Sequence, residues 1–135
     1  MAIDYGKNRV GIALTDPLCT IAQPLLTLET KSQKELIGRL KLIIEENDVH
    51  LILVGNPVSH HGASTQMSQE VTNFVKKLKK TTTIEVKLWD ERFTSRHAVN
   101  ILKDIGLKQK SAKLDQIAAS LMLAEYLRSL DLGRA

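Results

Sequence analysis

The chain has 135 residues, a formal net charge of +4 at pH 7 and a pI of about 9.3. That length allows one domain with a real core and excludes two ordinary ones; the lone Cys19 excludes an internal disulfide and a thiolate metal cage. No apolar run approaches membrane-spanning length and no basic-then-apolar leader is read, so a cytoplasmic protein without membrane contact is expected.

Residues 1–5 and 9–14 read as two strands of a hairpin, with Gly6, Lys7 and Asn8 supplying the turn. The first strand delivers Asp4 to the mouth of that turn, beside bare backbone and the cations Lys7 and Arg9. Such a place suits a metal and a phosphate. Asp16-Pro17 signals a turn, and residues 20–28 read as a third strand, which Pro24 assigns to an edge or a bulge. Ser32 to Glu35 matches a capping box, and Leu36, Leu40, Ile43 and Ile44 follow at helical spacing, predicting a helix over 32–47. The continuous apolar run 51–54 suits a buried parallel strand, closed by the loop signal Gly55-Asn56-Pro57.

A polar loop over 57–63 contains His60 and His61, whose adjacency is not the spacing of a helical metal pair. Met67, Val71, Phe74, Val75 and Leu78 predict a helix over 64–80; Ile84, Val86 and Leu88 predict a strand ending at Trp89-Asp90-Glu91-Arg92. Thr94 or Ser95 can cap a third helix stopped by Gly106, residues 107–112 read as a lysine-containing loop, and a last helix runs over 112–129 before a frayed tail. Short turns imply antiparallel pairing and crossover helices imply parallel pairing. The expected fold is therefore α/β. It is a mixed five-stranded sheet, three antiparallel strands first and parallel strands after, with helices on both faces and a single domain over 1–135.

Sites in open α/β sheets gather at the carboxyl ends of strands. Asp4, Asp90 or Glu91, and Asp115 fit that rule or can reach it, and converging carboxylates suit Mg²⁺ or Mn²⁺. Each also has a plain structural reading: turn chemistry for Asp4, a surface ion pair for one of Asp90 and Glu91, and the helix dipole for Asp115. Arg92 is a salt-bridge partner or a phosphate fork, and Trp89 is packing. Lys76, Lys77, Lys79 and Lys80 form one basic cluster, Lys103, Lys108, Lys110 and Lys113 another. For the first cluster, dipole compensation and phosphate contact weigh equally. Few aromatics argue against a base-stacking platform.

A set of motifs carries a resemblance over nearly the whole chain. They are Asp4-Tyr5-Gly6-x-x-Arg9-x-Gly11-x-Ala13, Thr15-Asp16-Pro17, Gln23-Pro24 and Val54-Gly55-x-Pro57 followed by Gly62. Asp90-Glu91-Arg92-Phe93-Thr94-Ser95 and Lys113-x-Asp115-x-x-Ala118-Ala119 complete the set. In this order the chain resembles the YqgF/RuvX family, ribonuclease H-like proteins known as Holliday junction resolvase-like proteins or pre-16S rRNA nucleases. Two departures stand out: Asn56 where the family usually has a larger apolar residue, and only three residues ahead of Asp4.

The resemblance implies a ribonuclease H-like fold and a Mg²⁺- or Mn²⁺-dependent endonuclease. Its acids fall on Asp4, Glu91 and Asp115, which selects Glu91 over Asp90. Lys7, Arg9, Arg92 and Lys113 are expected to contact backbone phosphates. The implied partners are structured nucleic acid, above all the 5′ end of an rRNA precursor within a ribosomal precursor particle, with a monomer or weak homodimer as the working unit. A four-way DNA junction is the alternative substrate. A non-catalytic nucleic-acid or ribosome-associated binding protein is the alternative class.

Overall fold

The computed structural model describes residues 1–56, 66–90 and 111–134. Its sheet has five strands: β1 (Ala2–Tyr5), β2 (Arg9–Thr15), β3 (Ala22–Glu29), β4 (Leu51–Asn56) and β5 (Glu85–Asp90). The spatial order is β3-β2-β1-β4-β5, antiparallel from β3 to β1 and parallel from β1 to β5. The shortest strand is thus the middle one. Ala2, Ile3, Asp4 and Tyr5 are all buried, because β1 is paired on both edges and helices cover both of its faces.

Pro24 lies in an edge strand, opposite a register shift between Ile12 and Ala13. Both ways in which a strand tolerates proline are therefore used at once. The connection from β2 to β3 is held by Asp16. Its carboxylate accepts from the Thr20 amide and hydroxyl and the Ile21 amide, each at 2.7 Å. These bonds, the Ile21 amide first and the Thr20 hydroxyl next, hold the Asp16 carboxyl below its ordinary pKa.

Among the described residues, three helices cover the sheet. On α1 (Gln33–Glu46), the Ser32 hydroxyl caps the start by accepting from the Glu35 amide, as the capping box predicts. Leu36, Leu40, Ile43 and Ile44 of α1 and Val71, Phe74, Val75 and Leu78 of α2 (Gln66–Thr81) pack on one face, against Ile3, Tyr5, Val10, Ile12, Ile52 and Val54. On the other face, α3 (Ser111–Arg134) packs Ala119, Met122 and Leu123 against Ala2, Ala13 and Leu53. Alanine on both sides of that contact lets the α3 backbone lie close to the sheet.

Most boundaries fall within two residues of expectation, and three of the differences bear on the fold. β3 begins at Ala22, two residues later than predicted. β4 runs on through Gly55 and Asn56, because they pair with Trp89 and Asp90 of β5, and tertiary pairing outweighs the local loop signal. The predicted frayed tail is helical as far as Arg134. The predicted loop over 57–63, the third helix and the lysine loop up to 110 lie outside the described residues.

Candidate metal centre and its cleft

Asp4 stands on the α3 side of the central strand and is 3% exposed. A carboxylate so buried needs partners or a cation, because desolvation penalises its charge. The hairpin beyond it turns tightly, and a Cβ on Gly6 would come within 2.5 Å of the Arg9 carbonyl. The bare backbone that the sequence places here is therefore a steric requirement.

Asp4, Gly11 and Thr27 face one another across β1, β2 and β3. The first turns of α3 lie over this row. A Cβ on Gly11 would overlap the Asp115 carbonyl and come within 2.7 Å of the Gln116 amide nitrogen. The Thr27 hydroxyl donates to the Ala112 carbonyl, and Gln116 Nε2 donates to Thr27 Oγ1 at 3.4 Å. Gly11 thus makes the room and Thr27 sets the position of the helix start. Between them they bring Asp115, 6% exposed, over the cross-strand partner of Asp4. Two buried acids, 111 positions apart in the sequence, flank one glycine.

Arg9 shares the α3 side of β2 with Gly11, and its Nε lies 3.0 Å from Asp115 Oδ2. The contact is ionic and close without hydrogen-bond alignment. Beside it opens a cleft of about 930 Å³ of mixed charge, where Lys7, Arg9 and Lys31 stand with Glu29, Glu35 and Asp115. Carboxylates suit a hard divalent ion, and Lys7, Arg9 and Lys31 on the same cleft are groups that an anionic substrate could meet.

Of the predicted site residues, Arg9 and Asp115 are in contact, Asp4 pairs with the Gly11 on which the Asp115 backbone rests, and Lys7 lines the same cleft as Arg9 and Asp115. Lys113 is exposed on the first turn of α3. Glu91 and Arg92 lie outside the described residues. Among the described residues, no group of three His, Cys, Asp or Glu side chains is placed to hold a metal ion. Asp90 is exposed at the end of β5, where strand alternation puts it with Val86 and Leu88 rather than with Trp89. Trp89 packs edge-on against Tyr126, at 5.4 Å between ring centroids, in agreement with a packing role.

Thr27 and Gln116 belong to the site and escape sequence reading. Thr27 is an ordinary strand former there, and its contact with a residue 85 positions away has no local signal.

The sequence matches the model of the family described as RuvX, Holliday junction resolvase, over residues 1–129. A protein of Koribacter versatilis is 33% identical over 99% of this chain and 89% of its own length. One of Rickettsia typhi is 37% identical over 96% of this chain and 85% of its own. Both bear the name "Putative pre-16S rRNA nuclease". Among solved structures, Thermus thermophilus RuvC in complex with a Holliday junction substrate superposes with a TM-score of 0.54 at 18% identity, covering 94% of this chain and 92% of that one. That likeness is one of fold.

Proposed function

The chain belongs to the RuvX family, and from that premise we propose that it is a divalent-metal-dependent endonuclease that trims the 5′ end of precursor 16S rRNA. The observation that carries the reading is that two buried acids, Asp4 and Asp115, both neighbour Gly11, with Asp115 lining a cleft that also holds Lys7, Arg9 and Lys31. A buried pair of acids is a costly arrangement for structure alone and a suitable one for a cation.

In this reading Asp4, Asp115 and Glu91 hold Mg²⁺ or Mn²⁺. The alternation of β5 directs Asp90 to the α1/α2 face, which supports Glu91 over Asp90 as the third acid. The bound ion supplies Lewis acidity for water attack on the phosphodiester and for the charge of the leaving oxygen. Lys7, Arg9, Arg92 and Lys113 hold backbone phosphates in line with that centre. Arg9 can do so while it contacts Asp115, because a guanidinium has five N–H donors and one contact leaves others for phosphate.

The name shared by the relatives favours the rRNA precursor, in the setting of a ribosomal precursor particle. The family description supports a second reading with the same chemistry, in which the substrate is a four-way DNA junction. Symmetric cutting of a junction needs two active sites, so that reading requires a dimer in solution.

Purified protein with Mg²⁺ or Mn²⁺ is expected to cut a precursor-rRNA mimic in preference to a four-way junction, and Asp4→Asn to abolish cutting. An Asp4→Asn protein as active as its parent rejects the metal assignment. Cutting of the junction alone, by a dimer, replaces the first substrate with the second. Binding of RNA without cleavage under either ion leaves only a binding protein.

A further inference from the structure

The outward face of α2 carries a cationic patch that the cleft does not include. Val71, Phe74, Val75 and Leu78 point to the core. On the helical period, Asn73, Lys76, Lys77 and Lys80 then form one contiguous exposed surface on the opposite side. Lysines at i, i+3 and i+4 repel one another, and among the described residues none of these three makes an ion pair. The helix dipole favours cations in the last turn, which holds Lys79 and Lys80. It does not account for Lys76 and Lys77, one turn earlier.

This patch is tied to the cleft. Lys77 Nζ donates to Gln33 Oε1 at 2.7 Å, and Gln33 Nε2 donates to the Tyr5 hydroxyl at 2.9 Å. Tyr5 is the last residue of β1, directly before the turn whose Gly6 and Lys7 line the cleft, and Lys31 lines it just ahead of Gln33. Lys7 and Lys31 share the cleft with Glu29 and Glu35, and beyond the start of α1 the cations Lys77, Lys76 and Lys80 continue from it. The three α2 lysines, without ion-pair partners among the described residues, fit a repeating anion better than a single charge.

We propose that this face of α2 is a second phosphate-contact surface, which takes the sugar–phosphate backbone of the duplex arm flanking the bond held in the cleft. It rests on the nuclease reading only for the meaning of that bond; the binding itself is measured without cutting.

The test is fluorescence anisotropy of the full chain with a labelled RNA duplex of about 20 base pairs, in EDTA, over a series of KCl concentrations. Lys76, Lys77 and Lys80 are changed together to Gln, which keeps length and helix propensity. The slope of log K against log [KCl] is expected to become shallower by about 2 to 3, roughly 0.9 for each lysine removed. Lys76→Gln alone, with its helicity checked by circular dichroism, is expected to give about one third of that change. Lys87 is the control, because it lies 3.8 Å from Glu85 and over the Tyr126 ring on the α3 side; Lys87→Gln should leave the slope unchanged.

An unchanged slope in the triple variant overturns the proposal. So does a Lys87→Gln effect equal to that of Lys76→Gln, and so does absence of duplex binding by the parent protein. A parent protein that binds with the expected slopes but cuts nothing leaves this surface in place and removes the nuclease reading.

Discussion

Alanine at position 11 is the sharpest probe of how the site is built. A methyl group there would overlap the Asp115 carbonyl and lie 2.7 Å from the Gln116 nitrogen, where ordinary contact begins at 3.4 Å, so the start of α3 must withdraw by more than about 0.7 Å. β2 cannot yield instead, because it is paired on both edges. Overpacking of this kind costs about 1–3 kcal/mol. A displacement approaching 1 Å at a reacting centre costs about a hundredfold in rate. Gly11→Ala is therefore expected to lower the urea midpoint at unchanged slope, and to lose about two orders of magnitude in cleavage. Gly38 supplies the opposite case: it sits within α1 with nothing within 4 Å of its would-be Cβ. Gly38→Ala should stabilise by about 0.5–1 kcal/mol and leave cleavage alone. Gly11→Ala with parental stability and rate would refute the claim that α3 rests on bare backbone.

Three further outcomes follow from individual contacts. Thr27→Val keeps the shape but removes the bond to Ala112; a loss of about 0.5–1.5 kcal/mol and weaker Mn²⁺ binding are expected, with Thr27→Ser restoring both. If Val binds Mn²⁺ as well as Thr does, the hydroxyl does not position Asp115. Ser32→Ala removes the cap of α1 and should cost about 1 kcal/mol in denaturant titrations, with no change in metal affinity. Asp16 has a lowered folded pKa, so its contribution is complete above its unfolded value of 3.8 and is lost as pH falls through the lower folded value. Asp16→Ala should therefore be less stable than the parent at neutral pH, with the gap closing in acid; a gap independent of pH would contradict that account.

Features set by neighbours in sequence were legible without coordinates. The Ser32 cap, the apolar stripes of α1 and α2, the hairpin at Gly6 and the edge position of Pro24 each depend on a short window, and each is found as expected. Features set by register between distant segments were not. Gly55 and Asn56 read as a loop because their pairing with Trp89 and Asp90 is invisible locally. Thr27 reads as a strand residue because its partners come from α3. Arg9 reads as a free cation for phosphate, whereas folding sets it 3.0 Å from Asp115. Spacing alone only suggests that Asp4 and Asp115 converge, and the family resemblance supplies that expectation. What the fold adds is a glycine and a threonine in one cross-strand row against which the helix start docks.

The most direct measurement is a crystal structure of the protein grown with Mn²⁺, read by anomalous scattering. The account predicts an ion bound by carboxylate oxygens of both Asp4 and Asp115, at coordination distances of about 2.0–2.2 Å, and lost in Asp4→Asn. An ion held elsewhere, or one that touches neither carboxylate, would contradict it.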